Sequence, residues 1–151
     1  MEKIKKWIKS WVIDASLKDD IKFLKKVALF QGLSDRALAK IALIMFKKTY
    51  SAGEEVFRAG QEANVVYIVK SGKVQITEND AEQVIEADDF FGGISLFENS
   101  KHDTTSKTLQ DSELVLIYRI KLEDMIYSDY KAGFMIMKNF SKLFVGRSKS
   151  K

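Results

Sequence analysis

The sequence predicts an α+β fold, in which an antiparallel β-roll of the double-stranded β-helix or jelly-roll type is flanked by N-terminal helices and two C-terminal helices. Two observations predict it. Apolar residues recur at helical spacing up to residue 46, alternate with a period of two from there to residue 120, and then return to helical spacing. Glycine turns separate the short β segments at close intervals, which is typical of an antiparallel roll or sandwich.

Composition excludes several classes of site. The 151 residues are 46% apolar, enough for one core. The absence of cysteine excludes disulfides and thiolate metal sites, and a single histidine argues against a histidine-built zinc or haem site. No apolar run approaches the roughly 18–20 residues of a membrane span, and lysines interrupt the N-terminal stretch where a signal peptide would have its apolar core. We therefore expect a cytoplasmic protein without a metal or other cofactor.

Charge is distributed unevenly along the chain. The net charge is +4, with about +4 in residues 1–26, about +5 from Lys138 onward, and therefore about −5 in residues 27–137. A nucleic-acid-binding surface would be basic along a continuous patch rather than acidic through the middle of the chain. We therefore expect no nucleic-acid partner.

Residues 1–17 are predicted to form a basic amphipathic helix. The apolar residues of this segment fall at helical spacing, at Ile4, Trp7, Ile8, Trp11 and Val12. Its tryptophans can pack on the domain, bind a partner or a second copy, or lie on an anionic membrane surface. These alternatives stay open, so Trp7 and Trp11 are candidate interaction residues and residues 3–13 are a candidate peripheral membrane contact.

Residues 18–145 are predicted to form the main domain, and residues 18–46 to be its N-terminal helices. The first apolar helical face ends at Phe30, and Gln31-Gly32 breaks it. Ser34 is then a suitable N-cap, with Asp35 in the first turn where the helix dipole favours an acidic side chain.

The β-roll is predicted over residues 47–120. Its strands are expected at Val56-Phe57, Val65–Val69, Lys73–Thr77, Val84-Ile85, Thr104–Leu109 and Leu114–Ile120, with turns at Gly53, Gly60 and Gly72.

The C-terminal helices are predicted over residues 121–145, a short one around Leu122 and a longer one from Phe134, with a basic tail over residues 146–151. The longer helix has more large apolar residues than one buried face needs. We expect part of this excess to contact a protein partner or a second copy, together with the two tryptophans, through Phe140, Leu143 and Phe144.

The candidate binding stretch runs from Asp89 to Thr105 and reads D-F-F-G-G-I-S-L-F-E-N-S-K-H-D-T-T. A glycine pair permits backbone conformations and close approaches that a Cβ forbids. It can therefore present backbone N–H groups to a small anion. An ordinary glycine corner of a β-roll would use the same residues, so the pair alone does not decide between the two.

This order of helices, strands and turns resembles the cyclic nucleotide-binding domain of cAMP receptor proteins, kinase regulatory subunits and gated channels. The resemblance covers residues 24–144. It is carried by L-F-Q-G-L-S at Leu29–Ser34, Y-S-A-G-E-E-V-F at Tyr50–Phe57, Ala59-Gly60-Gln61, V-Y-I-V-K-S-G-K-V at Val66–Val74 and D-F-F-G-G-I-S-L-F at Asp89–Phe97. It implies a non-catalytic regulatory module of signal transduction, and no nucleophile–base pair in the sequence points to an enzyme.

In that family the last motif opens the phosphate-binding cassette, F-G-E-[IL]-A-L followed by P-R-A-[AS]-[TS]. The glutamate binds the ribose 2′-hydroxyl, the arginine binds the cyclic phosphate, and backbone N–H groups and the Ser/Thr add hydrogen bonds. The resemblance therefore implies that the ligand pocket would be lined by Phe91, Gly92, Gly93, Ile94, Ser95, Lys101, His102, Thr104 and Thr105.

The cassette departs from the family pattern at its two most important positions. Gly93 stands in place of the glutamate, and His102 in place of the arginine. Arginine offers a permanently charged fork of donors that matches phosphate, whereas histidine with a pKa near 6.5 is mostly neutral at pH 7. Removing one partner of a buried charge pair costs about 2–5 kcal/mol, which is roughly 30-fold to several thousand-fold in affinity.

The departures predict that binding of nucleotide is weak or lost, that His102 is an ordinary exposed loop residue, and that the module acts by protein–protein interaction. The alternative is a genuine cAMP or cGMP receptor in which Lys101 supplies a point charge and backbone N–H groups complete the site. A DNA-binding regulator is disfavoured because only residues 146–151 follow the long helix, too few for a helix-turn-helix.

Overall fold

The computed structural model describes residues 14–92 and 100–149, with side chains up to Leu143. The helices are α1 (14–24), a 3₁₀ turn (Ala28–Phe30), α2 (Asp35–Ala42), α3 (Arg119–Ser128) and α4 (Tyr130–Lys149). The strands are β1 (Met45–Tyr50), β2 (Glu55–Phe57), β3 (Val65–Ser71), β4 (Val74–Glu78), β5 (Ala81–Ile85), β6 (Phe90–Phe91), β7 (Thr105–Thr108) and β8 (Ser112–Tyr118).

The strands form two four-stranded sheets, ordered β1-β8-β3-β6 and β2-β7-β4-β5. Every paired strand is antiparallel to its neighbour. The chain crosses repeatedly from one sheet to the other, which is the path of a jelly roll. The predicted fold class, an antiparallel β-roll flanked by helices, is therefore confirmed.

Strand β3 shows how the sequence divides the core in two. Successive side chains of a strand point to opposite faces. Val66 and Ile68 therefore pack with the helices in one apolar cluster, called the helix-side core below, whereas Val65, Tyr67 and Val69 pack between the two sheets in another. The fold thus has three layers, with the helices on the outer face of the first sheet and the second sheet on its other side.

Helix α2 begins where the sequence predicts. The Ser34 side chain accepts a hydrogen bond from the Ala37 N–H at 3.2 Å, and Asp35 lies in the first turn. The amphipathic pattern then buries Ala37, Leu38 and Ile41 in the helix-side core. The predicted cap is confirmed, and the cap and the apolar face together orient α2 on the roll.

Several predicted boundaries were wrong. The N-terminal helical region ends before residue 45, because Met45 and Phe46 pair with Ile117 and Leu116 as the first part of β1. Strand β8 ends at Tyr118, and the next two residues already belong to α3.

The terminal helices also depart from the prediction. Residues 14–17 continue into the helix that ends at residue 24, so no break separates them from residue 18 onward. Helix α4 continues to Lys149, so residues 146–149 are helical rather than a separate tail. No helix-breaking proline stands at either junction, which allows both helices to run on. Residues 1–13, with Trp7 and Trp11, lie outside the described residues.

Asn139 anchors α4 to the N-terminal helices. Its Nδ2 donates to the backbone carbonyl oxygens of Leu29 at 3.0 Å and Gln31 at 2.8 Å. We expect Asn139→Ala to lower the free energy of unfolding by about 1–3 kcal/mol, because both carbonyls lose a protein partner. Urea unfolding followed by circular dichroism measures this. Ser141→Ala, at an exposed position of the same helix, should change it by less than about 0.5 kcal/mol. Equal losses in the two variants would contradict the anchoring role.

Among the residues that the structure describes, no helix combines the length and the apolar character needed to cross a membrane.

Candidate functional site

Gly92, directly after β6, belongs to the predicted cassette and packs closely against β3. Its φ is +77°, a conformation that side chains rarely adopt, and a Cβ there would lie 3.1 Å from the Val65 carbonyl oxygen and 3.1 Å from the Tyr67 ring. Glycine is therefore needed at this position both for its backbone conformation and for its close approach to β3. Gly93, Ile94 and Ser95, which follow it in the predicted cassette, lie outside the described residues.

The second half of the cassette is held to the segment before β3 by backbone hydrogen bonds. The Ala63 N–H donates to the Ser100 carbonyl at 2.9 Å, the His102 N–H to the Gln61 carbonyl at 2.8 Å, and the Gly60 N–H to the His102 carbonyl at 2.8 Å. These bonds fix the backbone of residues 100–102 and therefore determine which side chains face the interior of the roll.

His102 faces inward. Only 9% of the residue is exposed, and its ring stacks on Phe57 with the ring centroids 3.6 Å apart and an angle of 6° between the planes. The expectation of an exposed loop residue was wrong, because the backbone bonds to Gln61 and Gly60 turn the side chain towards the apolar space between the sheets. His102 is therefore part of the core between the sheets.

Phe57, Tyr67 and Phe91 complete this cluster with His102, and the four are called the aromatic cluster below. The Tyr67 and Phe91 rings stack at 5.1 Å, and Phe57 lies 5.6 Å from Tyr67 and 5.9 Å from Phe91. Aromatic pairs at these separations stabilise a core beyond their buried area. The space between the sheets at this point is therefore filled by the protein's own rings.

Sequence reasoning identified Phe91 but missed Phe57 and Tyr67 as walls of the site. The signal that could have found Tyr67 is the period of two in β3, which places it on the same face as Val65 and Val69. Nothing local in the sequence links Phe57 to His102, since 45 positions separate them.

The hydroxyl groups of the cassette's end are already hydrogen-bonded within the protein. The Thr105 Oγ1 accepts from the Ala59 N–H at 3.1 Å, and the Ser106 Oγ accepts from the Phe57 N–H at 3.2 Å. Thr104 is half-buried just before β7. These side chains tie the start of β7 to β2, so the predicted site residue Thr105 has a structural hydrogen bond here.

Positive charge is absent from the interior of this site as far as the structure describes it. Lys101 is exposed and its backbone forms an isolated β-bridge with Glu62. Arg58 follows Phe57 directly, but its guanidinium pairs at 2.6 Å with the Glu55 carboxylate on the surface. Over the described ranges 14–92 and 100–149, no cluster of three or more acidic or histidine side chains has the geometry of a metal site.

The ionisable groups of the aromatic cluster are held neutral. Burial lowers the pKa of His102 below its usual 6.5, and the neighbouring Asp103 carboxylate offsets part of this effect. Burial, followed by the proximity of Tyr50 and Tyr118, raises the pKa of Tyr67 to about 12. At neutral pH the cluster therefore offers uncharged rings, which pack well together but cannot neutralise a phosphate.

His102 should make the stability of the fold depend on pH in mildly acidic solution. With a folded-state pKa below 6.5, the unfolded chain binds the proton more readily. The histidine's contribution is therefore complete above about pH 6.5 and is lost as the pH falls towards the folded-state value. We expect this loss in urea midpoints measured from about pH 7.5 to 5, and His102→Gln should remove it. An identical pH profile in the variant would contradict it, since this is the only histidine in the chain.

The predicted interaction residues of α4 pack partly inside the domain. Phe140 lies 6.3 Å from Phe90, ring to ring, and Leu143 packs against the helix-side core; both are half-buried. The Phe144 side chain lies outside the described residues. Contact of Phe140 and Leu143 with a partner stays a prediction, and the core already uses part of each side chain.

The geometry is that of a β-roll with the aromatic cluster in its interior, and comparison with known proteins identifies the family. A model of the cyclic nucleotide-binding domain family matches residues 47–129. The chain belongs to this family. A cyclic nucleotide-binding domain of this regulatory type is not by itself catalytic.

Two curated relatives show how the domain is used elsewhere. The cGMP-dependent protein kinase egl-4 of Caenorhabditis elegans is 34% identical over 77 residues, which cover 46% of this chain and 10% of the kinase. The cyclic nucleotide-gated channel alpha-4 of Mus musculus is 26% identical over 124 residues, 76% of this chain and 21% of the channel. The chain therefore spans only a small part of these relatives.

Among solved structures, a cyclic nucleotide-binding domain from Methylobacillus flagellatus KT superimposes with a TM-score of 0.76 at 14% sequence identity. The match covers 91% of this chain and 80% of that one. At this level of identity the likeness supports the fold alone.

Proposed function

We propose that this chain is a non-catalytic regulatory module whose cyclic nucleotide-binding fold binds nucleotide weakly or not at all, and which acts through protein–protein contacts. The observation that supports this most is the position of His102. The residue that replaces the phosphate-binding arginine stacks on Phe57 inside the roll, at 9% exposure.

Nucleotide binding would carry two costs at this site. A ligand that needs the space of the aromatic cluster must displace the His102 ring and forfeit its stack with Phe57, a contact of about 0.5–1.5 kcal/mol. It must also bury a phosphate without a guanidinium, because the uncharged histidine cannot supply the charge. Both costs lower the affinity for any cyclic nucleotide.

A receptor with an atypical cassette is the second candidate, and one observation favours it. Lys101 is exposed next to His102, and within the described part of the chain it forms no ion pair. Its ammonium is therefore available as a point charge for a phosphate at the entrance of the roll.

Calorimetric titration with cAMP, cGMP and cyclic dinucleotides separates the two candidates. If the chain does not bind nucleotide, we expect no saturable heat of binding at nucleotide concentrations up to about 100 μM. A receptor should saturate at nucleotide concentrations in the low micromolar range. If saturable binding occurs and Lys101→Ala abolishes it, the receptor candidate is correct and the proposed loss of binding is wrong.

Contacts with a protein partner are tested at the terminal helices. Light scattering of the full chain over a range of concentrations reports a homodimer, and the same measurement without residues 1–16 reports whether Trp7 and Trp11 contribute. A monomer at all concentrations, together with the same set of captured proteins for both chains in a pull-down, would contradict the role of the terminal helices.

A further inference from the structure

The layers of the fold carry charges of opposite sign. The helical regions contain six basic and four acidic residues between positions 14 and 44, and seven basic and three acidic residues between 119 and 149. The strands and their loops, positions 45–118, contain thirteen acidic and seven basic residues. Because the helices cover one face of the first sheet, positive charge is concentrated on one side of the molecule.

Helix α4 contains five basic residues and no acidic residue. Its exposed residues include two aromatic rings, Tyr130 at 81% and Phe134 at 68% exposure. Helical spacing places them on one side of the helix with three exposed lysines. This surface, called the α4 outer face, consists of Tyr130, Lys131, Phe134, Lys138 and Lys142.

The opposite side of α4 does the packing. Ala132 and Ile136 are buried in the helix-side core, and Phe140 and Leu143 pack against it. The exposed rings of the α4 outer face are therefore not needed to close the core. A ring as large as that of Phe134 buries roughly 150–250 Å² when it is covered, so covering it would favour a bound state.

The charge of the α4 outer face selects the kind of surface that could cover it. No acidic residue occurs from Tyr130 to the end of the sequence. Within the described residues, none of the three lysines forms an ion pair. A symmetric contact with the same face of a second copy would bring lysines against lysines, which is unfavourable. The occupant must therefore be anionic.

We propose that the α4 outer face docks on the anionic phospholipid headgroups of a membrane surface. Lysines can place their ammonium groups among the phosphates while their alkyl stems lie along the apolar boundary. Exposed aromatic rings insert at the same depth. The acidic roll then faces away from the membrane, because an anionic surface repels it. An acidic protein is a different occupant, which the experiment below distinguishes from a membrane surface.

Sedimentation of the full chain with vesicles tests the proposal. The vesicles contain phosphatidylcholine alone or with about 30% phosphatidylserine, at about 0.15 M salt. We expect binding to the anionic vesicles only, and a fall in binding as salt increases. Replacing Lys131, Lys138 and Lys142 together by glutamine should weaken it by about 10-fold to 100-fold. Phe134→Ser alone should also weaken vesicle binding relative to the unchanged chain, but it should not change the dependence of binding on salt.

The matched control neutralises three lysines on the roll, Lys48, Lys73 and Lys107, and has the same net charge as the first variant. It should bind within about threefold of the unchanged chain, because charges on the side away from the membrane are largely screened. Equal weakening in the two triple variants would overturn the proposal, because net charge rather than the α4 outer face would then control binding. So would unchanged binding in the α4 variant, which would assign binding to another segment such as residues 3–13. If the chain binds no vesicles but is captured on polyglutamate beads in a salt-dependent way, the occupant is an acidic protein. That result would also overturn the proposal.

Discussion

Replacing His102 by arginine is expected to restore affinity for cyclic nucleotides. If the predicted match of the cassette is correct, the substitution returns the guanidinium to its position in the motif, and the loss of one partner of a buried charge pair costs about 2–5 kcal/mol. We expect the dissociation constant for cAMP or cGMP to fall by at least about 30-fold relative to the unchanged chain, measured by calorimetry or by displacement of a fluorescent analogue. Adding Gly93→Glu, which returns the ribose-binding carboxylate, should increase the gain.

The neighbouring lysine provides the matched control for this gain. Lys101→Arg also introduces a guanidinium, one position away, but on an exposed side chain outside the roll. It should leave the affinity within about threefold of the unchanged chain. If Lys101→Arg gains as much as His102→Arg, the position of the charge is not what limits binding. A thermal melt of each variant shows whether loss of the His102–Phe57 stack has unfolded the roll.

The second large effect is expected at Gly72, in the turn between β3 and β4. Its φ is +99°, and an added Cβ would lie 2.7 Å from the Ser112 Cα and would collide with the Ser112 side chain. Backbone atoms of β8 cannot move aside without breaking its pairing with β3. We expect Gly72→Ala to destabilise the protein by about 3–5 kcal/mol, the sum of conformational strain and overpacking. Such a loss is a large fraction of the roughly 5–15 kcal/mol of a typical domain.

Gly60→Ala separates the two parts of this effect. Gly60 has a similar φ of +94°, but nothing lies within 4 Å of the position of an added Cβ. Only the conformational cost of about 1–2 kcal/mol should therefore appear. Guanidinium unfolding of both variants measures the difference, and equal losses would show that the contact with Ser112 relaxes without cost.

The candidate site was only partly predictable from sequence. The sequence predicts that His102 and Gly93 stand in place of an arginine and a glutamate, and this prediction depends only on the order of residues in the cassette. The inward orientation of His102 was not visible. A polar residue between Lys101 and Asp103 looks like an exposed loop, and only the hydrogen bonds to Gln61 and Gly60 turn its ring onto Phe57.

The amino-acid pattern by itself predicted the helix–roll–helix order, since helical spacing and alternation record locally which side of an element is buried. Strand β1 and the filled interior of the roll depended on the folded chain. Met45 and Phe46 form a strand because they pair with β8, some 70 positions away along the chain. The His102 ring is buried because it stacks on Phe57. A long-range pairing cannot be recognised from the residues next to either partner in the sequence, because those residues are compatible with other conformations.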